Sequence, residues 1–430
     1  MEPMIFAYIA ILLLAGLLST RLMKVLHLPN VTGYIITGII MGPFVFGLFF
    51  NNFTYEGIKE SSIYLLTSKI GWVSTIALGF IAFSIGTSFK VSTLQSVGKR
   101  VILITILEAV GASIFVMGSL FIAYAISPES IPLELVLTLS AIASATAPAA
   151  TLMVIKQYRA KGPLVNTLLP VVALDDAVAL ILFAVLFQIA SALASKGELS
   201  LYKMLAKPLI EIALSIGIGV VLGFLISFIN KFFHSRNNKL VLCIFTVFAS
   251  AGLYVLFKQP YMGGGFELSS LLTCMVAGAI YVNFAKDADQ TLDVLDRFTS
   301  PIYMMFFIIS GASLDLTIFA DGKKAGIVLL IAFIYLLFRV VGKYLGAFTG
   351  AKVTKCEPQV QKYLGFALVP QAGVAIGLAT TANGLFNSVG SNELASLVLA
   401  VILTSTLIYE LIGPVSAKFA LSKAGEIPLQ

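Results

Sequence analysis

Apolar runs of roughly 20 residues, about one bilayer thickness each, follow one another along the chain, parted by short polar connections. Thirteen can be drawn: 5–26, 31–50, 70–89, 101–126, 133–155, 163–192, 205–229, 240–257, 268–284, 301–319, 325–347, 363–382 and 394–419. The longest polar connections, 51–69 and 286–300, are too short to fold as separate soluble domains. The pattern predicts one all-α, polytopic membrane unit, because helices satisfy their own backbone in lipid. The first run is too long for a removable leader and lacks a small-residue cleavage site before a polar mature domain, so it reads as a span.

Composition agrees. The chain has 430 residues, 59% hydrophobic and only 11% charged, with mean hydropathy +0.99, which excludes an ordinary soluble globule. Placing the odd-numbered connections inside puts 18 of the 28 basic residues on the inner side and 8 on the outer. That bias predicts an outer N-terminus and an inner C-terminus, in a plasma or inner cell membrane. The net charge of +7 thus reflects topology, and no nucleic-acid partner is implied. Three cysteines, two of them in apolar runs, imply neither a disulfide framework nor a cofactor site. His27 and His234 read as ordinary basic loop residues.

The remaining two basic residues, Arg339 and Lys343, lie inside a run. So do Asp175 and Asp176, adjacent in the sixth run. Ionisable groups at bilayer depth are costly, and their default reading is an ion or proton pathway. The fifth run carries Pro148 well inside it, and the twelfth carries Pro370 beside Gln371. Proline removes an intrahelical hydrogen bond, which means either a kink or a broken helix. With about 1.5 Å of rise per residue, Thr146 is about 15 Å from Lys156, Asp176 about 20 Å from Pro163, Pro370 about 12 Å from Lys362, and Lys343 about 13 Å from Lys352. All four converge near the middle of a core about 30 Å thick. The two breaks are seven runs apart, an odd number, so their units enter from opposite sides. That is the plan of an inverted repeat with two crossing broken helices around a midplane site.

Adjacent residues on a helix point about 100° apart, so one aspartate can face a cavity while the other faces a neighbouring helix. Asp176 is assigned to the ion, with Thr146 or Thr151 and the opened backbone near Ala147 able to complete a shell of hard oxygens suited to an alkali cation. Lys343 is the obvious counter-charge for Asp175; the pair can equally be a structural tie between helices. Arg339 lies four residues earlier on the same face and is a second cation there. Glu108 and Glu410 read as structural charges, a Glu108–Arg339 pair being conceivable. A carboxylate that takes either a proton or a metal cation, opened to the two faces in turn, is sufficient for exchange.

Five stretches carry a resemblance: 28–43 (LPNVTGYIITGIIMGP), 146–151 (TAPAAT), 172–177 (VALDDA), 339–346 (RVVGKYLG) and 369–374 (VPQAGV). In them the chain resembles bacterial sodium/proton antiporters of the cation:proton antiporter superfamily, second branch, NapA type. The resemblance implies a homodimer with residues 1–95 and 238–320 as dimerisation scaffold. It also implies a linker helix at 204–230 and a transporting core of 99–193 and 324–420 that moves as an elevator. It makes Asp176 the sodium and proton carboxylate and Asp175 the partner of Lys343, and it implies electrogenic exchange. No resident cofactor is implied; Na+ (or Li+ or K+) and H+ are cargo.

Rival classes fit less well. Potassium/proton exchange or a sodium-coupled organic-anion symporter of related topology are the alternatives. An enzyme, an intramembrane aspartyl protease, would need its two aspartates on separate helices. A channel would need a pore module and filter rather than thirteen runs with an inverted repeat.

Overall fold

The computed structural model describes residues 2–26, 30–43, 45–47, 62–87, 89–128, 131–147, 151, 154–155, 158–194, 207–258, 268–314, 316 and 322–427. They form fifteen α-helices and one short 3-10 turn, with no strand among the described residues. In chain order the helices are α1 (Glu2–Leu26), α2 (Asn30–Met41), α3 (Ser62–Lys69), α4 (Trp72–Thr87), α5 (Val91–Ile126), α6 (Leu133–Ile142), α7 (Pro163–Ala194) and α8 (Lys207–Ile229). There follow α9 (Arg236–Lys258), α10 (Ser270–Phe284), α11 (Ala288–Ala312), α12 (Gly322–Val353), α13 (Pro358–Ala367), α14 (Gly373–Ser388) and α15 (Asn392–Lys423).

Each of the thirteen apolar runs holds at least one of these helices. Seven are long and apolar enough to cross a membrane outright: α1, α5, α7, α8, α9, α12 and α15. Four apolar ones are shorter: α2, α4, α6 and α10. The twelfth run is divided between α13 and α14, so a simple tally of full-length spans falls below thirteen. One connection needs correction. The polar stretch 286–300 is helical from Ala288, because Ala288, Thr291, Leu295 and Thr299 recur at helical spacing and are buried, while Asp289 remains exposed.

Lipid offers no hydrophobic drive between helices, so close approach depends on small residues. Three helix pairs show it. A Cβ on Gly38 of α2 would lie 2.0 Å from the Ile308 carbonyl of α11, and one on Gly86 of α4 1.9 Å from the Met275 carbonyl of α10. A Cβ on Gly346 of α12 would lie 2.4 Å from the Leu107 carbonyl and 2.6 Å from Glu108 Cα, both on α5. The third contact places the deep charges of α12 against α5.

The N-terminus of α7 is fastened from far along the chain. Glu426 accepts hydrogen bonds from the backbone of Leu164 (2.6 Å, Oε1) and Val165 (2.9 Å, Oε2), and its carbonyl accepts from Lys161 (3.1 Å). A carboxylate there satisfies orphan N–H groups and meets the positive end of the helix dipole. Glu426→Ala should therefore destabilise the protein by about 1–2 kcal/mol. A thermal melt in detergent checks this; an unchanged midpoint would show the cap to be inert.

Candidate functional site

The fifth and twelfth runs are both interrupted. Helix α6 stops at Ile142 with Ala143 as its C-cap, and residues 145–147 are non-helical. Helix α13 stops at Ala367, and 369–372 are non-helical before α14 begins. The two interruptions touch: the Ala147 amide donates to the Pro370 carbonyl at 2.9 Å. Pro148 lies outside the described residues.

A helix ending inside a protein leaves its last carbonyls unsatisfied and its negative dipole end exposed. Here each of four consecutive carbonyls receives a side-chain donor. Gln371 Nε2 donates to Ile142 (3.0 Å), Arg339 Nε to Ala143 (2.9 Å), Lys343 Nζ to Ser144 and Arg339 Nη2 to Ala145 (2.6 Å). Arg339 Nη1 reaches the other interruption through the Val369 carbonyl (2.7 Å). Tyr335 donates to Gln371 Oε1 (3.0 Å), and the Tyr409 ring faces the guanidinium at 4.6 Å. Arg339 and Lys343 thus replace the helical bonds that the break removes, and Arg339 joins one broken run to the other. Thr151 donates to the Ala367 carbonyl (3.1 Å), a further link between the two.

Lys343 is fully buried and lies between two acids, 2.8 Å from Asp175 Oδ2 and 2.7 Å from Glu108 Oε2. The Asp175 contact is a hydrogen bond. The Glu108 contact is an ion pair, and Asp175 is the acid's other polar neighbour. This corrects the Glu108–Arg339 pairing. Arg339 and Lys343 share a helix face, and the Gly346 contact brings Glu108 to the level of Lys343 while Arg339 faces the break.

Asp176, one residue on, points elsewhere. It is 6% exposed, and its Oδ1 has no hydrogen-bond partner. The Thr146 backbone amide lies against its carboxylate, and the Thr146 hydroxyl is likewise buried without a partner. Buried polar oxygens are nearly always satisfied, so two orphans on residues in mutual contact mark a place for a donor or a cation. The set is a carboxylate and a hydroxyl, hard oxygen donors of the kind alkali cations take. Among the described residues no group of three or more His, Cys, Asp or Glu side chains could hold a metal ion. Glu410 is tied to α2 by the Thr32 hydroxyl, which donates to its Oε2.

A cavity of about 460 Å³ lies further along α7. Phe183, Phe187 and Gln188 of that helix line it, with Ser74, Thr380 and Asn383. Phe183 is seven residues beyond Asp176, about 10 Å along the helix. Its ring stacks on Phe187 at 4.7 Å, and Phe187 meets Phe386 edge-on at 5.3 Å.

Sequence reasoning missed the carbonyl-capping role of Arg339 and Gln371, the Glu108–Lys343 contact and the Glu426 cap. Only the first left a signal, two cations and an amide at the depth of the breaks.

Comparison with solved structures places this arrangement in a known architecture. The sodium proton antiporter MjNhaP1 from Methanocaldococcus jannaschii at pH 8 superposes with a TM-score of 0.73 at 17% identity, covering 98% of this chain and 99% of that one. An electron-microscopy structure of MjNhaP1 gives a TM-score of 0.69 at 16% identity, with both chains covered in full. At such identities the likeness shows the fold. No curated protein sequence matches the chain. The family described as sodium/hydrogen exchanger, transmembrane, matches residues 9–415; the chain, a multi-pass membrane protein, therefore belongs to that exchanger family.

Proposed function

We propose that this exchanger binds Na+ and H+ in turn at Asp176, which the two faces of the membrane reach alternately. The observation that carries the reading is the pair of buried, unpartnered oxygens on Asp176 and Thr146 beside two crossing broken helices. In a site shut off from water a carboxylate needs a compensating charge, and a proton or one sodium ion supplies it. Asp175 and Glu108 both lie within 2.8 Å of the Lys343 ammonium, whereas Asp176 has no such cation among the described residues and lies against Thr146, whose hydroxyl is unpartnered.

The finer assignment rests on the family resemblance, in which an Asp-Asp pair with Lys343 implies the second antiporter branch and electrogenic exchange. The charge bias favours an outer N-terminus. The glycine contacts support the inverted repeat: exchanging the two halves of the chain turns the α2–α11 pair into the α10–α4 pair and maps α5–α12 onto itself. The dimer scaffold and the moving core follow from the family resemblance.

The purified protein in proteoliposomes should convert a sodium gradient into proton movement of opposite direction, saturating with sodium. Transient current on a solid-supported membrane, with Na+, Li+ and K+ across a pH series, reads ion choice and net charge together. Sodium uptake without proton counterflow would replace exchange with symport. Current with potassium alone would replace sodium as the cargo.

A further inference from the structure

Glu410 sits outside the ion site and outside any ion pair so far described, yet it is 3% exposed. Its carboxylate receives the hydroxyl of Thr32, and the Thr32 backbone amide also lies against it. Thr32 is itself 3% exposed and stands in the first turn of α2. On the division proposed above, α2 belongs to the scaffold and α15 to the moving core, so this contact crosses the boundary between them.

Two neighbours of Glu410 attach it to the crossing. Tyr409 stacks on Arg339, which holds the carbonyls of both interruptions. Gly413 lies so close to Pro370 that a Cβ there would meet its Cγ at 2.8 Å. The contact is also at the far end from the cavity. Ser388, just before α15, lines the cavity, while Glu410 is about 27 Å down α15 from Asn392. The charge bias makes that far end cytoplasmic.

We propose that Glu410 is a positioning residue of the exchange cycle. Bonded to Thr32, it clasps α15 to α2 and closes the route on the face away from the cavity. When the core moves, the bond breaks, and a carboxylate stripped of its donors must be solvated or find a cation. Opening of that face, its hydration and the presentation of a negative charge to the arriving cation are therefore one event. The proposal rests on the exchange reading above.

Hydrogen exchange in nanodiscs tests the clasp. Thr32→Val keeps the shape and removes the hydroxyl. It should raise amide exchange in residues 30–37 and 406–413 by about threefold to tenfold, the weight of one buried hydrogen bond, and leave 142–147 unchanged. Glu410→Gln keeps an acceptor for Thr32 but loses the charge. In inside-out vesicles it should raise the sodium half-saturation by about tenfold at an undiminished maximal rate. Should Glu410→Gln not yield monodisperse protein, Thr32→Val alone decides. Wild-type protection in Thr32→Val, or an unaltered half-saturation in Glu410→Gln, overturns the proposal. Absence of sodium-driven proton flux in the wild-type protein would instead overturn the exchange reading.

Discussion

Asp176→Asn should abolish sodium-dependent proton flux in proteoliposomes while the protein remains folded. Asparagine has nearly the same volume and can still receive the Thr146 amide, so packing at the crossing is kept. It cannot ionise, and so it holds neither a transferable proton nor the charge that attracts a cation. A unit charge pair about 4 Å apart contributes about 4 kcal/mol at an effective dielectric of about 20. That corresponds to roughly three decades in cation affinity, enough to sink the flux to background. The melting midpoint should hold or rise, because a buried acid has been replaced by a neutral amide. A monodisperse Asp176→Asn protein that exchanges at the wild-type rate would remove Asp176 from the site.

Pro148 and Pro370 mark the two interrupted runs, although Pro170, Pro301 and Pro414 sit inside continuous helices, so depth, which follows from counting residues, is the more legible quantity. Azimuth is not legible that way. Arg339 and Lys343 lie on one face, so periodicity could not decide which of them meets Glu108. The choice is made by Gly346, whose missing side chain lets α5 approach, and a lone glycine in a membrane helix does not name its neighbour. Contacts such as Glu426 with Leu164 or Thr32 with Glu410 join residues 262 and 378 positions apart, and one sequence carries no trace of either. The helical stretch 288–300 is a different kind of miss. Its buried positions recur at helical spacing, but its acids lower the mean hydropathy, and a window tuned to membrane spans passes over an amphipathic helix.

The same geometry gives Lys343 the second large effect, on stability. Its ammonium contacts two buried carboxylates and a carbonyl from the end of α6. Lys343→Ala leaves all three without their cation, in a place water does not reach. Removing one partner of a buried ion pair costs about 3–5 kcal/mol, because the other charge remains uncompensated. The variant should melt well below the wild type, or fail to accumulate. A rescue distinguishes this from a simple cavity. If Glu108 shares the ammonium with Asp175, Lys343→Ala combined with Glu108→Gln leaves one buried acid without its partner where the single variant leaves two, and stability should partly return. A cavity left by the lysine chain would be indifferent to that second change. Melting of the four proteins in a double-mutant cycle measures the coupling directly; strict additivity would break the proposed three-way contact and leave Lys343 to Asp175 alone.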